Sequence, residues 1–393
     1  MNLGILKDTK IGENRVILIP SDAKSLIAAG HKVYVEKDAG KSAGFTDQAY
    51  KAIGAEILET KEEVFEKSDM VAKVKEIEPE EYSLLRDDLM VYTCIHPASH
   101  PEEVQALLKS GCTAFTAEDA HRFGSPNCEA AGKAGAIIGL YYLMNTNGGK
   151  GVFPSGLGAA PGMKVLILGG GNVGKGALQV LHNVGAWCTV ADINIGTLRD
   201  INQLYKGGVH TILSSQERIE EVIGEMDLVL NCVKWPKGTK KYLVTREMVA
   251  SMEENSVLVD ISNDEEGAIE TFRETTHENP IYKEEGVIHY CVSNIPGAIA
   301  KTTSVAYSAS VIPHFLNLFN HGIKEACIRD GYLRRAMCTY RGFLTHEETS
   351  AIQNIPWVSP EDILEIKDES LDPAPPATVS RSKNYYKEEL WKK

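Results

Sequence analysis

The run VLILGGGNVGKGALQVL, followed by CTVADIN, carries the densest chemical signal in the 393 residues. Gly169, Gly171 and Gly174 form a GxGxxG directly after an apolar, strand-like segment and at the start of a helix-like one. Asp192 ends the next strand, 18 residues beyond Gly174. Each position meets a need of a dinucleotide. Gly169 permits a tight turn, Gly171 lets main chain approach a pyrophosphate, Gly174 allows close helix packing, and the helix start at Asn172 and Val173 turns N–H donors toward an anion. Asp192 can accept hydrogen bonds from both hydroxyls of an adenosine ribose. Its charge repels a 2′-phosphate and no Arg follows directly, which favours NAD over NADP.

Two rival readings of such loops fail on single residues. Gly169 to Lys175 also fits GxxxxGK, but a P-loop needs Ser or Thr next to hold Mg²⁺, and Gly176 stands there. The segment around Ser155 is FPSGL, which lacks the first glycine of a GxSxG nucleophile elbow. The eight cysteines include no CxxC pair and no Cys/His cluster at zinc spacing, so reduced core thiols and no metal are expected.

The elements that must position this loop follow from periodicity. Length suggests two domains. Strand-like runs at Leu3 to Leu6, His31 to Val35, Met70 to Val74, Leu89 to Ile95 and Thr113 to Thr116 alternate with helix-like Ser21 to Ala29, Asp47 to Ala52 and Pro101 to Ser110. A long helix from Glu129 to Met144 and a Gly-rich loop lead into a second rhythm: strands Lys164 to Leu168, Ala186 to Ala191, Leu228 to Cys232, Val257 to Asp260 and Tyr290 to Val292, with a helix at Val173 to Val184. Thr302 to Asn320 reads as a helix kinked at Pro313 that carries the chain back to the first unit. The expected fold is α/β with two doubly wound parallel-sheet domains: a discontinuous one of residues 1–128 plus 306–356, a Rossmann domain of 129–305, and a tail of 357–393. Tyr385, Tyr386, Leu390 and Trp391 are apolar enough to pack that tail on a subunit.

Net charge is −13, so nucleic acid and anionic membrane are disfavoured as partners. The longest apolar or Gly run, Ala134 to Met144, has 11 residues against the ~20 of a spanning helix. The start MNLGILKDTK lacks a signal core, and the expected location is the cytoplasm.

Beyond the glycine loop, the stretches GILKDTKIGENRVILIP, AGHKVYVEKDAGKSAGFTDQAYKAIGAEI, KVKE, TCIHPA and SNIPGAIAKTTS together resemble the alanine dehydrogenase family. That family also holds the soluble domain of proton-pumping nicotinamide nucleotide transhydrogenases and the saccharopine and carboxyethyl-amino-acid dehydrogenases. The likeness spans about residues 1 to 345. It implies an NAD-dependent dehydrogenase that deaminates a small, alanine-like L-amino acid and aminates the 2-oxo acid in reverse, assembled as a homo-oligomer.

By matching motifs, Arg15 in GENRV resembles the residue that clamps the substrate carboxylate, a task suited to a planar fork; alone, it would read as a surface salt bridge. Lys75 in KVKE, expected at a strand end, resembles the ligand of the substrate's oxo oxygen and carboxylate. His96 in TCIHPA resembles the acid/base, and Glu118 in FTAED an acidic partner that orients His96 or Lys75. Asp264 in VDISNDEEG resembles a catalytic acid near the nicotinamide ribose, with Asp260 as the competing assignment. Asn294 in SNIPGA would contact nicotinamide or substrate; otherwise it is a turn residue before Pro296.

The chain departs from the pattern at Asn127, where Met is expected on the substrate, at Lys301, where Arg is expected, and at VKWPKG (Val233 to Gly238). Asn127 and Trp235 would suit a larger, polar substrate or a second amine. The alternative activity is therefore an opine-type or saccharopine-type dehydrogenase that joins a 2-oxo acid to an amino-acid amine. A transhydrogenase subunit is a third reading, but Lys75 and His96 are kept here.

Overall fold

The computed structural model describes residues 1–236, 241–262 and 267–375. The chain divides into two units, one of Met1–Ser125 with the chain from Ala300 onward, the other of Pro126–Ile299.

Among the described residues, the first unit is built on strands β1 (Asn2–Ile5), β2 (Lys32–Glu36), β3 (Glu56–Leu58), β4 (Met70–Ala72), β5 (Met90–Thr93) and β6 (Thr113–Thr116). The second contributes β7 (Lys164–Leu168), β8 (Trp187–Asp192), β9 (His210–Leu213), β10 (Leu228–Asn231), β11 (Val257–Asp260), β12 (Ile281–Glu284) and β13 (Val287–Tyr290), and the chain returns to the first sheet as β14 (Met337–Tyr340) and β15 (Phe343–Leu344). The sheet orders are β15-β14-β6-β5-β4-β1-β2-β3 and β12-β13-β11-β10-β7-β8-β9. Leaving aside the antiparallel additions β14, β15 and β12, each runs third, second, first, fourth, fifth, sixth in its own chain order, the doubly wound arrangement.

Both faces of each sheet are covered, as parallel strands require. Leu3, Ile5, Met70, Ala72 and Tyr92 enter one apolar cluster of the first unit, whereas Val71, Val91 and Ala114 enter another with Phe65 and Leu107. In the second unit Val165 and Ile167 face one cluster, and Leu166 and Leu168 the other. Each buried Leu, Ile or Val side chain contributes about 1.5–3 kcal/mol, so alternation along short strands holds both layers.

Several boundaries differ from those read in the sequence. β4 stops at Ala72, not Val74, and β13 occupies Val287–Tyr290 rather than Tyr290 to Val292. The return helix Ala300–Arg329 carries Pro313 within it and breaks at Gly322 instead, where φ 73° and ψ 169° suit only glycine. The stretch after Trp357 is not all tail: a helical turn spans Pro360–Ile363, Leu364 and Ile366 join the first unit's core, and Arg334 Nη2 donates to the Asp372 carbonyl at 2.9 Å. Tyr385, Tyr386, Leu390 and Trp391 lie outside the described residues. The eight cysteines are free thiols, six of them buried, and burial pushes the Cys112 thiol up to about 11. No helix among the described residues is long and apolar enough to cross a membrane.

On the helix Pro101–Ser110, Glu103 is 2% exposed; Oε1 accepts the Ile77 N–H at 2.8 Å, while Oε2 has no partner among the described residues. Burial pushes its carboxyl up to about 9 from an ordinary 4.5. A raised acid holds its proton in the folded state while the unfolded chain has lost it. Its contribution is therefore complete below about 4.5 and is lost as pH rises toward about 9, at up to ~1.4 kcal/mol per pH unit. Denaturant titrations of wild type and Glu103→Gln from pH 5 to 9 should show the variant gaining on wild type as pH rises. Parallel pH profiles would contradict the protonated state.

Candidate active site

Parallel strands end on one edge, and in the first sheet the order reverses between β1 and β4, the place where loops diverge and leave a crevice. The loop after β1 carries Arg15. Its side chain is buried, not at the surface: Nε donates to Glu13 Oε1 at 2.7 Å and Nη2 to Oε2 at 2.5 Å, and its own N–H reaches Oε1 at 2.9 Å. Burial opposes both charges, but Arg15 holds Glu13 below its usual range and Glu13 raises Arg15. Removing one partner from such a pair typically costs about 3–5 kcal/mol, so Glu13 is what permits a guanidinium at this depth. The loop is tied to the helix Ala300–Arg329, where Ser304 Oγ accepts Val16 N–H and Ser308 Oγ accepts Ile19 N–H, both at 3.0 Å.

Lys75 stands three residues beyond β4, on a turn instead of a strand end. Its carbonyl accepts the Thr93 hydroxyl. Among the described residues its ammonium makes no hydrogen bond or ion pair. The neighbouring Glu76 pairs with Lys10 at 3.2 Å; burial alone would raise its carboxyl, yet Lys75 and Lys10 bring it down to about 2.

β5 and β6 pair Thr93 with Thr116, which brings the segments that follow them, carrying His96 and Glu118, to the same edge. Glu118 Oε1 accepts the His96 main-chain N–H at 2.6 Å and lies 3.3 Å from Nδ1. A carboxylate there favours the proton on Nδ1 and makes Nε2 the basic nitrogen. His96 has φ 48°, a left-handed conformation that costs an L-residue about 1–2 kcal/mol. The surrounding turn is held by Ser99 N–H to the His96 carbonyl at 2.9 Å, by His100 Nδ1, 2.9 Å from the Ile95 carbonyl and 3.2 Å from that of His96, and by Gln353 Nε2 on the Pro97 carbonyl at 2.7 Å. Glu13, Glu76, His100 and Gln353 were not singled out from sequence. The Glu13-x-Arg15 spacing was the one local signal among them.

In the second unit the order reverses between β7 and β10, and the glycine loop sits there. Gly169 has φ 90°, and a Cβ on it would come 3.0 Å from the Cys232 carbonyl. A Cβ on Gly174 would fall 1.8 Å from the Gly169 carbonyl, so that position admits no side chain. Gly171 differs: nothing lies within 4 Å of where its Cβ would be. It caps the helix Asn172–Asn183, whose first N–H groups, at Asn172, Val173 and Gly174, lack helical acceptors. Asp192 Oδ2 accepts Gly170 N–H at 2.6 Å and Oδ1 accepts Asn194 N–H at 2.7 Å, fixing the carboxylate beside the loop.

Asn294 is a turn residue with φ 63°, its carbonyl accepting Gly297 N–H at 3.0 Å. Asn127 lies half-buried in the first turn of the helix Pro126–Leu143 and so belongs to the second unit. Asp260 is 1% exposed and its Oδ1 accepts Asn231 Nδ2 at 3.0 Å. Asp264 lies outside the described residues. Trp235 is a core residue, not a pocket wall: it is 8% exposed, packs with Leu243 and Val244, and donates Nε1–H to the Lys241 carbonyl at 3.0 Å.

Two family models match most of the chain: alanine dehydrogenase/PNT, N-terminal domain, over residues 4–126, and the C-terminal domain of the same family over residues 135–347. The chain is 37% identical over 371 residues to an alanine dehydrogenase of Methanococcus maripaludis, covering 93% of this chain and 100% of the relative. It is 36% identical to that of Bacillus subtilis, with 93% and 98% covered. A solved structure described as L-alanine dehydrogenase superposes with a TM-score of 0.83 at 33% identity, covering 90% of this chain and 99% of the other. With both domain models and relatives of matching length in agreement, the chain belongs to the alanine dehydrogenase/PNT family and is an amino-acid dehydrogenase.

Proposed function

We propose that this enzyme oxidatively deaminates L-alanine with NAD, giving pyruvate, ammonium, NADH and a proton with consumption of one water, and in reverse aminates pyruvate. The observation that carries the reading is that Arg15, Lys75 and His96 all lie in segments that follow the adjacent strands β1, β4 and β5, with a carboxylate bonded to both Arg15 and His96. The names of the relatives, alanine dehydrogenase, supply the substrate.

The second unit fits a dinucleotide: the open space at Gly171 leaves room for a pyrophosphate against the helix N-terminus, and Asp192, fixed beside the loop, would accept from the ribose hydroxyls. When bound, the nicotinamide supplies the acceptor for the substrate's α-hydride. Arg15 and Lys75 hold the substrate carboxylate and oxo oxygen, and the pair of cations fixes its orientation. His96 Nε2 takes a proton as the amine becomes an imine and is hydrated, while Glu118 keeps the ring in the needed tautomer. Asn294 and Asn127 are assigned to the nicotinamide end and the substrate, and Asp264 to the reacting centre. A cytoplasmic homo-oligomer belongs to the same reading; exposed Ile137 and Tyr141 on the helix Pro126–Leu143, with exposed Met144 just past its end, support association.

His96→Ala should lower kcat by roughly 10²–10⁴ while leaving the NADH dissociation constant unchanged. Normal turnover in steady-state assays would move the proton to another group. Asp192→Ala should weaken NAD by on the order of 1–3 kcal/mol and relieve exclusion of NADP. Fluorescence titration with both dinucleotides decides this, and unchanged NAD affinity would remove Asp192 from the site.

A further inference from the structure

Main-chain pairing between β1 and β4 ends with the Leu6 N–H on the Ala72 carbonyl at 3.0 Å. Beyond it, a side chain takes over. Asp8 Oδ2 accepts the N–H of Val74 at 2.9 Å and Oδ1 that of Lys75 at 3.0 Å. Successive N–H groups of a regular strand point to opposite sides, so two neighbours converging on one carboxylate mark a turned chain. The same turn is closed by the Thr93 hydroxyl on the Lys75 carbonyl. The main chain of Lys75 is thus fixed at both polar groups, whereas its ammonium has no partner among the described residues.

We propose that Asp8 is a positioning residue for substrate binding, holding the turn that aims Lys75 at the substrate's oxo and carboxylate oxygens. This rests on the assignment of Lys75 as a substrate ligand. Asp8 is 9% exposed and acts through the main chain of Lys75. A carboxylate at this depth is an expensive way to fill space. Burial pushes it up to about 6, Glu13 adds to the rise, and Lys73 and the two N–H groups oppose it. Lys73 itself is 1% exposed and is anchored by its ion pair with Glu81 at 2.8 Å.

Asp8→Asn keeps one acceptor oxygen but sets an NH₂ against the other N–H, donor against donor. The Asn variant, Asp8→Glu and Lys75→Ala are to be compared with wild type for kcat, the KM of pyruvate, the NADH dissociation constant and the melting temperature. The expected result is a KM for pyruvate raised about 10- to 100-fold in Asp8→Asn, since misplacement by about 1 Å can lose ~10²-fold. The NADH constant should stay within about twofold, and Asp8→Glu should recover most of the loss. If Asp8→Asn does not fold, Thr93→Val, which removes the other bond on the Lys75 main chain, decides alone: a KM for pyruvate raised toward that of Lys75→Ala with the NADH constant kept supports the inference, and an unchanged KM overturns it. An unchanged KM in Asp8→Asn beside a raised one in Lys75→Ala overturns the role of Asp8 only. An unchanged KM in Lys75→Ala overturns the Lys75 assignment and the inference with it. Parallel losses in kcat, KM, NADH binding and melting temperature would mean that Asp8 serves folding alone.

Discussion

A parallel strand must be followed by a crossover before its neighbour can form, so all such strands in a sheet end on one edge. In both sheets here the first strand lies in the middle, and the chain winds outward from it in two directions. The loops on either side of that point part company: the segments carrying Arg15, Lys75 and His96 follow β1, β4 and β5 of one sheet, and the glycine loop follows β7 of the other.

The residues at these edges are held at a cost to stability. A guanidinium at 4% exposure persists because Glu13 meets it on two atoms. His96 keeps a left-handed main chain because four neighbouring groups bond its turn. The backbone at Lys75 is fixed by a buried aspartate instead of a strand partner. Such groups bring desolvation or strain of a few kcal/mol each, comparable with a large part of a domain's net stability, and the closed alternating cores offset them.

Much of this was legible in the sequence where the cause is local. The GxGxxG requirement is local at Gly174, where a Cβ would meet the Gly169 carbonyl, and at Gly169 in its φ of 90°, although the Cys232 carbonyl that also crowds Gly169 comes from a segment distant in sequence. Alternating apolar runs located most central strands because burial of both faces leaves continuous hydrophobic segments. What escaped was set by distant partners. Pairing of β4 with β1 ends early because Asp8, 66 residues before Val74, takes the N–H groups of Val74 and Lys75. Pro313 reads as a break, yet Gly322 alone has the dihedrals of one. Arg15 reads as a surface cation because nothing local shows that helix Ala300–Arg329 closes over its loop. Trp235 next to a departure from the family pattern invites a pocket role, and only the packing places it in the core.

The central claim is that this enzyme removes hydride and amine from an L-amino acid. The most direct measurement is absorbance at the NADH band with NAD and single L-amino acids, alongside pyruvate with ammonium, ornithine or lysine in the reverse direction. The account predicts NADH formation with L-alanine, matched one to one by pyruvate and ammonium, and NADH consumption with pyruvate only when ammonium is the amine. Silence with every amino acid, or consumption that requires ornithine or lysine in place of ammonium, would contradict it.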